Sequence, residues 1–355
     1  MNRIEELTNQ FFEQIKYSTD LLENTDDINW PENIQSIVIA GLGGSGVGAG
    51  IVSGLLFDSL PVPVTIVKDY FLPGFVNKNT LVICSSYSGN TEETLSCYHQ
   101  ALEAQAPIIA ITGGGQLKEN AQRDGQLCFT VPAGIPPRTA LGYTLPVYFF
   151  IFSNIFRRPE WYEKFKNSAQ KVELCVNDID RTSAEIAGFF YGKLPVFYSS
   201  SAREGLLIRL RQQINENAKS LCWHHIIPEM NHNELVGWRS QHEELAVLFI
   251  WNQFDHPKNV LRMKLTREVV SKYTSNILTY QAPCGDAWEE MLYLIHLFDK
   301  ISCKLADMYG VDAEEIDVIN YLKTSIGEKK EVTPLYKHPV RPPSTGKFTP
   351  LIYAA

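Results

Sequence analysis

Disulfide pairing, basic charge, long apolar runs and compositional bias are all missing from this 355-residue chain. The seven cysteines, Cys84, Cys97, Cys128, Cys175, Cys222, Cys284 and Cys303, are odd in number, scattered, and form no C-x-x-C pair. That usage excludes a disulfide framework or a cysteine zinc site and fits reduced thiols in a cytoplasmic protein. Lys and Arg number 32 against 40 Asp and Glu, a formal charge of -8. Proteins that hold a polyanion through counterion release are ordinarily basic, so no nucleic acid partner is expected. One small anion in a local site remains compatible with that balance. The most apolar stretch, Tyr143 to Phe156, is too short for a membrane span and includes Thr144, Pro146, Ser153 and Asn154, so it reads as a buried helix. Met1 to Gln10 is polar and lacks the apolar centre of a signal peptide, and no membrane partner is expected. With 45% hydrophobic and 20% charged residues, wholesale disorder is excluded as well.

What is present is alternation. The length suits two domains of roughly 150 residues each plus terminal extensions. Ile4, Leu7, Phe11, Phe12, Ile15 and Leu22 recur at helical spacing and require a partner surface. From Ile34 onward β-rich runs are expected to alternate with helices: strands near 36–40, 62–67, 81–85, 108–112 and 127–131, helices near 46–56 and 91–104. The order then repeats, with one helix expected over 161–190, strands near 194–200, 245–251 and 276–280, and helices near 204–220, 257–273 and 288–309. Such alternation predicts parallel sheets with helices on both faces. Past Gly327 the composition turns to Lys329, Lys330, Pro334, Lys337, Pro339, Pro342, Pro343 and Pro350, which reads as an extended tail.

Two loops carry the first chemistry. Gly41-Leu42-Gly43-Gly44-Ser45-Gly46-Val47-Gly48 follows a strand and opens a helix. Glycines let the backbone approach an anion, and the helix N-terminus supplies free N–H groups and a positive dipole end. Gly41, Gly43 and Gly46 also satisfy G-x-G-x-x-G, so a dinucleotide loop or a plain structural turn competes. The second loop separates these readings. Ser85-Ser86-Tyr87-Ser88-Gly89-Asn90-Thr91-Glu92-Glu93-Thr94 crowds three hydroxyls, Ser86, Ser88 and Thr91, before a helix. Hydroxyl donors and a helix N-terminus suit a phosphate monoester, whereas an ordinary N-cap uses one hydroxyl and a dinucleotide needs no such second loop.

With these motifs the sequence resembles the sugar isomerase (SIS) domain. Three further runs are similar to the bifunctional phosphoglucose/phosphomannose isomerase family: Pro136-Pro137-Arg138-Thr139-Ala140-Leu141-Gly142-Tyr143, Asn215-Glu216-Asn217-Ala218-Lys219, and Pro228-Glu229-Met230-Asn231-His232-Asn233-Glu234. The resemblance runs discontinuously from about Ile34 to Lys323. It implies two SIS-like, doubly wound (flavodoxin-like) α/β domains, at 31–156 with the phosphate loops and 157–327 with the catalytic Glu and His. An N-terminal helix at 1–30 and a tail at 328–355 flank them. It places the substrate phosphate on Gly43, Gly44, Ser45, Ser86, Ser88 and Thr91. Arg138 corresponds to the active-site arginine, Glu216 to the proton-moving base, and Lys323 to a lysine near the C-terminus, with Lys300 a nearby competitor. His232 corresponds to a ring-opening histidine drawn from the neighbouring subunit of a homodimer. The resemblance also implies a threonine near the C-terminal end that accepts mannose 6-phosphate, but Asp312-Ala313-Glu314-Glu315 has none.

The chemistry of these residues fits the implied roles. Aldose–ketose interconversion moves a proton between C1 and C2 through an enediol(ate), and one carboxylate can serve as base and then acid. Charge developing on the enediolate oxygens needs a fixed cation such as Arg138. An imidazole such as His232 can exchange protons with the ring oxygen and hydroxyl near neutral pH. His224 and His225, without a third ligand at metal spacing, read as structural. The expected protein is therefore a cofactor-free, metal-free isomerase of hexose 6-phosphates. Glucose 6-phosphate to fructose 6-phosphate is the first reaction expected, with mannose 6-phosphate as a further substrate. A non-catalytic SIS sensor, an amino-sugar phosphate isomerase and, third, a dehydrogenase are the rivals.

Overall fold

Aliphatic and β-branched residues between turn signals build two parallel sheets. The computed structural model describes residues 2–25 and 28–328. The first sheet contains β1 (Ser36–Ala40), β2 (Val64–Val67), β3 (Thr80–Ser86), β4 (Ile108–Thr112) and β5 (Leu127–Thr130), in the order β2-β1-β3-β4-β5. The second contains β6 (Leu194–Ser200), β7 (Trp223–Ile227), β8 (Leu245–Ile250) and β9 (Ile277–Tyr280), in the order β7-β6-β8-β9. Every pairing is parallel, with Val38 opposite Thr65 on one side and Val82 on the other.

The helices follow from the intervening periodic stretches. They are α1 (Arg3–Asn9), α2 (Phe11–Glu23), α3 (Gly43–Leu55), α4 (Glu92–Glu103), α5 (Gly115–Arg123), α6 (Leu141–Ile155), α7 (Pro159–Glu173), α8 (Val176–Phe190), α9 (Glu204–Ala218), α10 (Pro257–Val270) and α11 (Ala287–Tyr309). Residues up to Glu314 form one compact unit. A second unit begins at Glu315 and contains α12 (Asp317–Glu328), on which Val318 and Tyr321 are exposed. The tail expected over 328–355 lies outside the described residues from 329 onward.

Strand periodicity divides the cores as a two-faced sheet requires. In the first sheet Ile37, Ile39, Leu81 and Ile83 enter a core shared with Phe197, Leu248 and Ile250 of the second, while Val38, Ala40, Val82 and Cys84 face a separate core. Val196, Tyr198, Val247 and Phe249 do the same on the far face of the second sheet. The apolar helix α6 is buried, as its composition predicts, and packs on α2, α3 and α7. The first helix of each sheet, α3 and α9, touch directly. A Cβ on Gly205 would lie 2.7 Å from the Gly50 carbonyl carbon, so these helices approach at backbone distance only because glycine stands there.

Five elements differ from expectation. The single N-terminal helix expected at 1–30 is two helices, α1 and α2, which meet at Gln10. The helix expected over 161–190 is two helices, broken at Leu174–Cys175 without Pro or Gly, because both α7 and α8 pack on α11 and the chain must reverse between them. The half-buried edge strand β7 was hidden by Trp223, His224 and His225, which blunt its apolar signal. The short polar α5 starts on the last of three glycines, Gly113 to Gly115, where no helix is expected. α3 starts at Gly43, three residues before the expected start at Gly46.

Candidate active site

The strand order of the first sheet reverses between β1 and β3, and the loops after these strands carry the two motifs. A crevice at such a switch point is where open α/β sheets bind ligands. After β1 the chain passes one turn and enters α3 with Leu42 as N-cap and no side-chain cap, so Gly43 and Gly44 head the helix with free N–H groups. After β3, Thr91 stands at the N-cap of α4, but its hydroxyl does not cap the helix. It pairs at 2.8 Å with Ser86 Oγ, which lies 3.5 Å from Ser88 Oγ and accepts the Gly89 N–H at 3.1 Å. The simple-cap reading of this loop therefore fails. Ser45 ties the two loops together: its Oγ accepts the Tyr87 N–H at 2.9 Å, and its carbonyl accepts from Ser85 Oγ and Tyr148 OH. The structure thus brings Gly43, Gly44, Ser45, Ser86, Ser88 and Thr91 to one crevice, with Gly43 and Ser88 exposed and Ser86 buried behind them.

Arg138 reaches this crevice from a 3-10 turn, Pro137–Thr139. Gly44 packs against that turn so closely that a Cβ would lie 3.0 Å from the Pro137 carbonyl oxygen. The guanidinium is 3% exposed and aimed by α9 and by the loop after α11. Its Nε donates to Asn217 Oδ1 at 2.7 Å, one Nη donates to the Ala313 carbonyl at 2.7 Å, and the other lies 3.5 Å from Glu216 Oε2. Burial pulls its pKa below the ordinary arginine value against the pull of Glu216, and it remains a cation. Glu216, with its side chain 26% exposed, sits between this buried cation and solvent.

A second layer holds Arg138. Arg209 donates to the Arg138 carbonyl at 2.9 Å while its Nε and Nη2 meet Asp299 of α11 at 2.8 and 2.5 Å. Gln213 donates to the same Asp299 at 2.8 Å, and Asn217 Nδ2 donates to Ser302 Oγ at 2.9 Å. Sequence reading missed this layer. Its signal was there, since Arg209, Gln213 and Asn217 recur every four residues on one face of α9. Lys219 adds a link: its Nζ donates to the Glu216 carbonyl at 2.6 Å and lies 3.5 Å from the same Ala313 carbonyl that Arg138 uses. The stretch that lacks the expected threonine therefore borders this site.

The other predicted residues lie elsewhere. His232 is exposed on a 3-10 turn, Glu229–His232, and no contact among the described residues joins it to Glu216 or Arg138. Its segment is anchored by Glu234, whose carboxylate accepts from Tyr198 OH and from Trp223 Nε1 at 3.3 Å and meets His225 Nδ1 at 2.7 Å. His224 is pushed down to about 4, mainly by burial. Lys323 is exposed on α12, in the second unit. Its competitor Lys300 is buried and engaged by Asp180 at 2.8 Å, Asn9 at 2.8 Å and Glu5 at 3.5 Å, which makes it a packing residue. The thiols of Cys84 in β3 and Cys303 in α11 are pushed up by burial, the latter to about 11.

Two doubly wound parallel sheets, with a glycine loop and a hydroxyl loop at the first switch point, define a SIS-type phosphosugar protein. A family model described as the bacterial phospho-glucose isomerase C-terminal SIS domain matches residues 179–326. A protein of Caldicellulosiruptor bescii named bifunctional phosphoglucose/phosphomannose isomerase is 33% identical over 330 residues, 90% of this chain and 97% of its own length. A protein of Sulfolobus acidocaldarius named D-glucosamine-6-phosphate 4-epimerase is 27% identical over 82% of this chain and 90% of its own. Among solved structures, the tagatose-6-phosphate ketose/aldose isomerase of Escherichia coli superposes with a TM-score of 0.67 over 88% of this chain and 95% of that one, at 15% identity, a likeness of fold. The chain belongs to the bifunctional phosphoglucose/phosphomannose isomerase family.

Proposed function

We propose that this protein interconverts aldose and ketose hexose 6-phosphates by moving a proton between C1 and C2 through a cis-enediol(ate). The observation that carries this is the position of Arg138: buried, packed against the glycine loop through Pro137, and 3.5 Å from Glu216. One residue thus joins the two, its backbone packed against the glycine loop and its guanidinium facing the carboxylate. In this reading Gly43, Gly44, Ser45, Ser86, Ser88 and Thr91 hold the phosphate through N–H groups and hydroxyls. Glu216 takes the proton from one carbon and returns it to the other, and Arg138 stabilises the enediolate oxygens. Hydrogen is relocated within the substrate, so the reaction is redox-neutral overall and consumes no oxidant.

His232 is the ring-opening group and acts in the neighbouring subunit of a homodimer; its exposure and its lack of contact with its own Glu216 support this. Lys323 serves as a further site cation. We assign the protein to the cytoplasm, on the strength of its scattered, unpaired thiols. Glucose 6-phosphate is the first substrate, with mannose 6-phosphate the second.

A coupled assay of the purified chain with glucose, mannose and glucosamine 6-phosphates tests this reading. Glucosamine 6-phosphate is included because of the 27%-identical epimerase. Turnover of the first is expected; no turnover of any would favour a sensor of sugar phosphates. Light scattering during turnover tests the shared histidine, because an active monomer contradicts it.

A further inference from the structure

The second sheet repeats the plan of the first up to the point where the first forms its crevice. β6 occupies the place of β1 and β8 that of β3, and the strand order again reverses between them. A ligand crevice belongs at that switch point, beyond the strands' C-terminal ends. Here it is closed by the carboxylate of Asp255, whose side chain is 6% exposed. Oδ1 accepts from Ser200 Oγ, at the end of β6, at 2.8 Å, and Oδ2 accepts the Asn252 N–H, just past β8, at 2.8 Å. Arg203 Nη1 donates to both oxygens, at 2.6 and 2.8 Å. The other edge of Arg203 is taken by Glu290 of α11, at 2.9 Å from Nε and 2.7 Å from Nη2. The second oxygen of Glu290 accepts from Asn252 Nδ2 at 2.9 Å.

A hydroxyl, a backbone N–H and a guanidinium that converge on one buried carboxylate are the donors of an oxyanion site. We propose that this is a second oxyanion site, built on the same plan as the first crevice, and that the chain fills it with its own Asp255. The plug explains how a chain with two like sheets keeps one crevice open. Along the loop after β8, Trp251, Gln253, Phe254 and His256 bring none of the hydroxyls found after β3. The anion in the second half is supplied covalently, and its cation, Arg203, stands beside it. Occupancy of this site by Asp255 does not depend on what the first crevice binds.

Asp255→Gly removes the carboxylate and leaves its donors in place. Its thermal unfolding midpoint should fall by about 5 °C, the scale for breaking a buried pair in a chain of this size. Acetate or inorganic phosphate at about 50 mM should restore at least half of that loss relative to chloride of equal ionic strength, as expected for an anion that binds only the folded state. Equilibrium dialysis should find one more phosphate bound per chain than in the wild type, whatever the first crevice holds. Asp255→Asn, whose amide still fills the space, should gain no phosphate. A glycine variant that responds to acetate and phosphate no more than to chloride overturns the proposal, as does an equal response of the asparagine variant. If the glycine variant does not accumulate folded, its refolding yield in acetate against chloride gives the same reading, and equal yields overturn it.

Discussion

The loops after β1 and β3 and the loops after β6 and β8 hold the same places in their sheets, yet their side chains do opposite things. In the first half the donors are neutral: the N–H groups heading α3 and the linked hydroxyls of Ser86, Ser88 and Thr91. In the second half a full cation, Arg203, is matched by Asp255 and Glu290, both buried. Parallel strands and helix N-termini supply a concave, N–H-rich rim in either case. Whether that rim admits a ligand depends on a few side chains: small hydroxyl and glycine residues leave room, whereas a buried ion triad closes it. This also explains how a chain of charge -8 can hold an anion. In the proposed function it does so with hydroxyls, helix ends and single cations, and no basic face is required.

The contrast can be broken most directly at Glu216, the proposed base. Glu216→Gln should lower kcat by about three orders of magnitude, the scale for removing a general base, while phosphosugar affinity by calorimetric titration stays within about twofold. Near-normal turnover would remove Glu216 from the mechanism. Next in size is the layer between the halves. Asp299→Ala strands Arg209 in the core and should cost about 3–5 kcal/mol in urea unfolding, because a buried charge is left uncompensated. It should also raise KM, since Arg209 holds the Arg138 carbonyl; unchanged stability would show that the pair contributes nothing.

A smaller effect distinguishes the two loops themselves. Ser88→Ala with Thr91→Ala should raise KM about tenfold with little change in kcat, as expected for lost hydrogen bonds to a charged group. Gln253→Ala with His256→Ala, in the segment after β8, should leave both constants unchanged. Equal effects from the two pairs would end the distinction.

The smallest prediction concerns acid. His296 lies against Phe11 and Phe12, with ring centroids at 5.8 and 5.3 Å, and burial pushes it down from 6.5 to about 3. The unfolded chain takes up this proton near 6.5, so between pH 6.5 and about 3 the unfolded state binds more protons. The stability present above 6.5 is therefore lost as pH falls, by up to about 1.4 kcal/mol per pH unit. His296→Phe should flatten that slope in acid unfolding, and an unchanged slope would assign the acid sensitivity to other groups.

How much of this was legible depends on how local each feature is. Alternating strand and helix periods announce the parallel sheets, and contiguous motifs announce the two loops, because three hydroxyls within six residues need no distant partner to be conspicuous. Elements whose boundaries depend on packing were not legible. The α7–α8 break carries no Pro or Gly, and β7 carries a Trp and two His where an apolar run is expected. Lys300 competed with Lys323 along the chain. Burial of Lys300 among Glu5, Asn9 and Asp180 separates them, and none of those partners lies near it in sequence.

The missing features that opened the sequence analysis already bounded this protein, since cysteine usage, charge balance and apolar run length are properties of composition. With the motifs they determined by themselves a phosphosugar-type α/β chain with Arg138, Glu216 and His232 as its candidates. Only the tertiary structure decided which of these meet. Arg138 finds Glu216 at a separation of 78 residues and the Ala313 carbonyl at 175, and Asp255 finds Ser200 at 55. Contacts between distant residues leave no period and no motif in the chain. They arise when two sheets fold around a shared core and carry charged groups into places where each must find a partner.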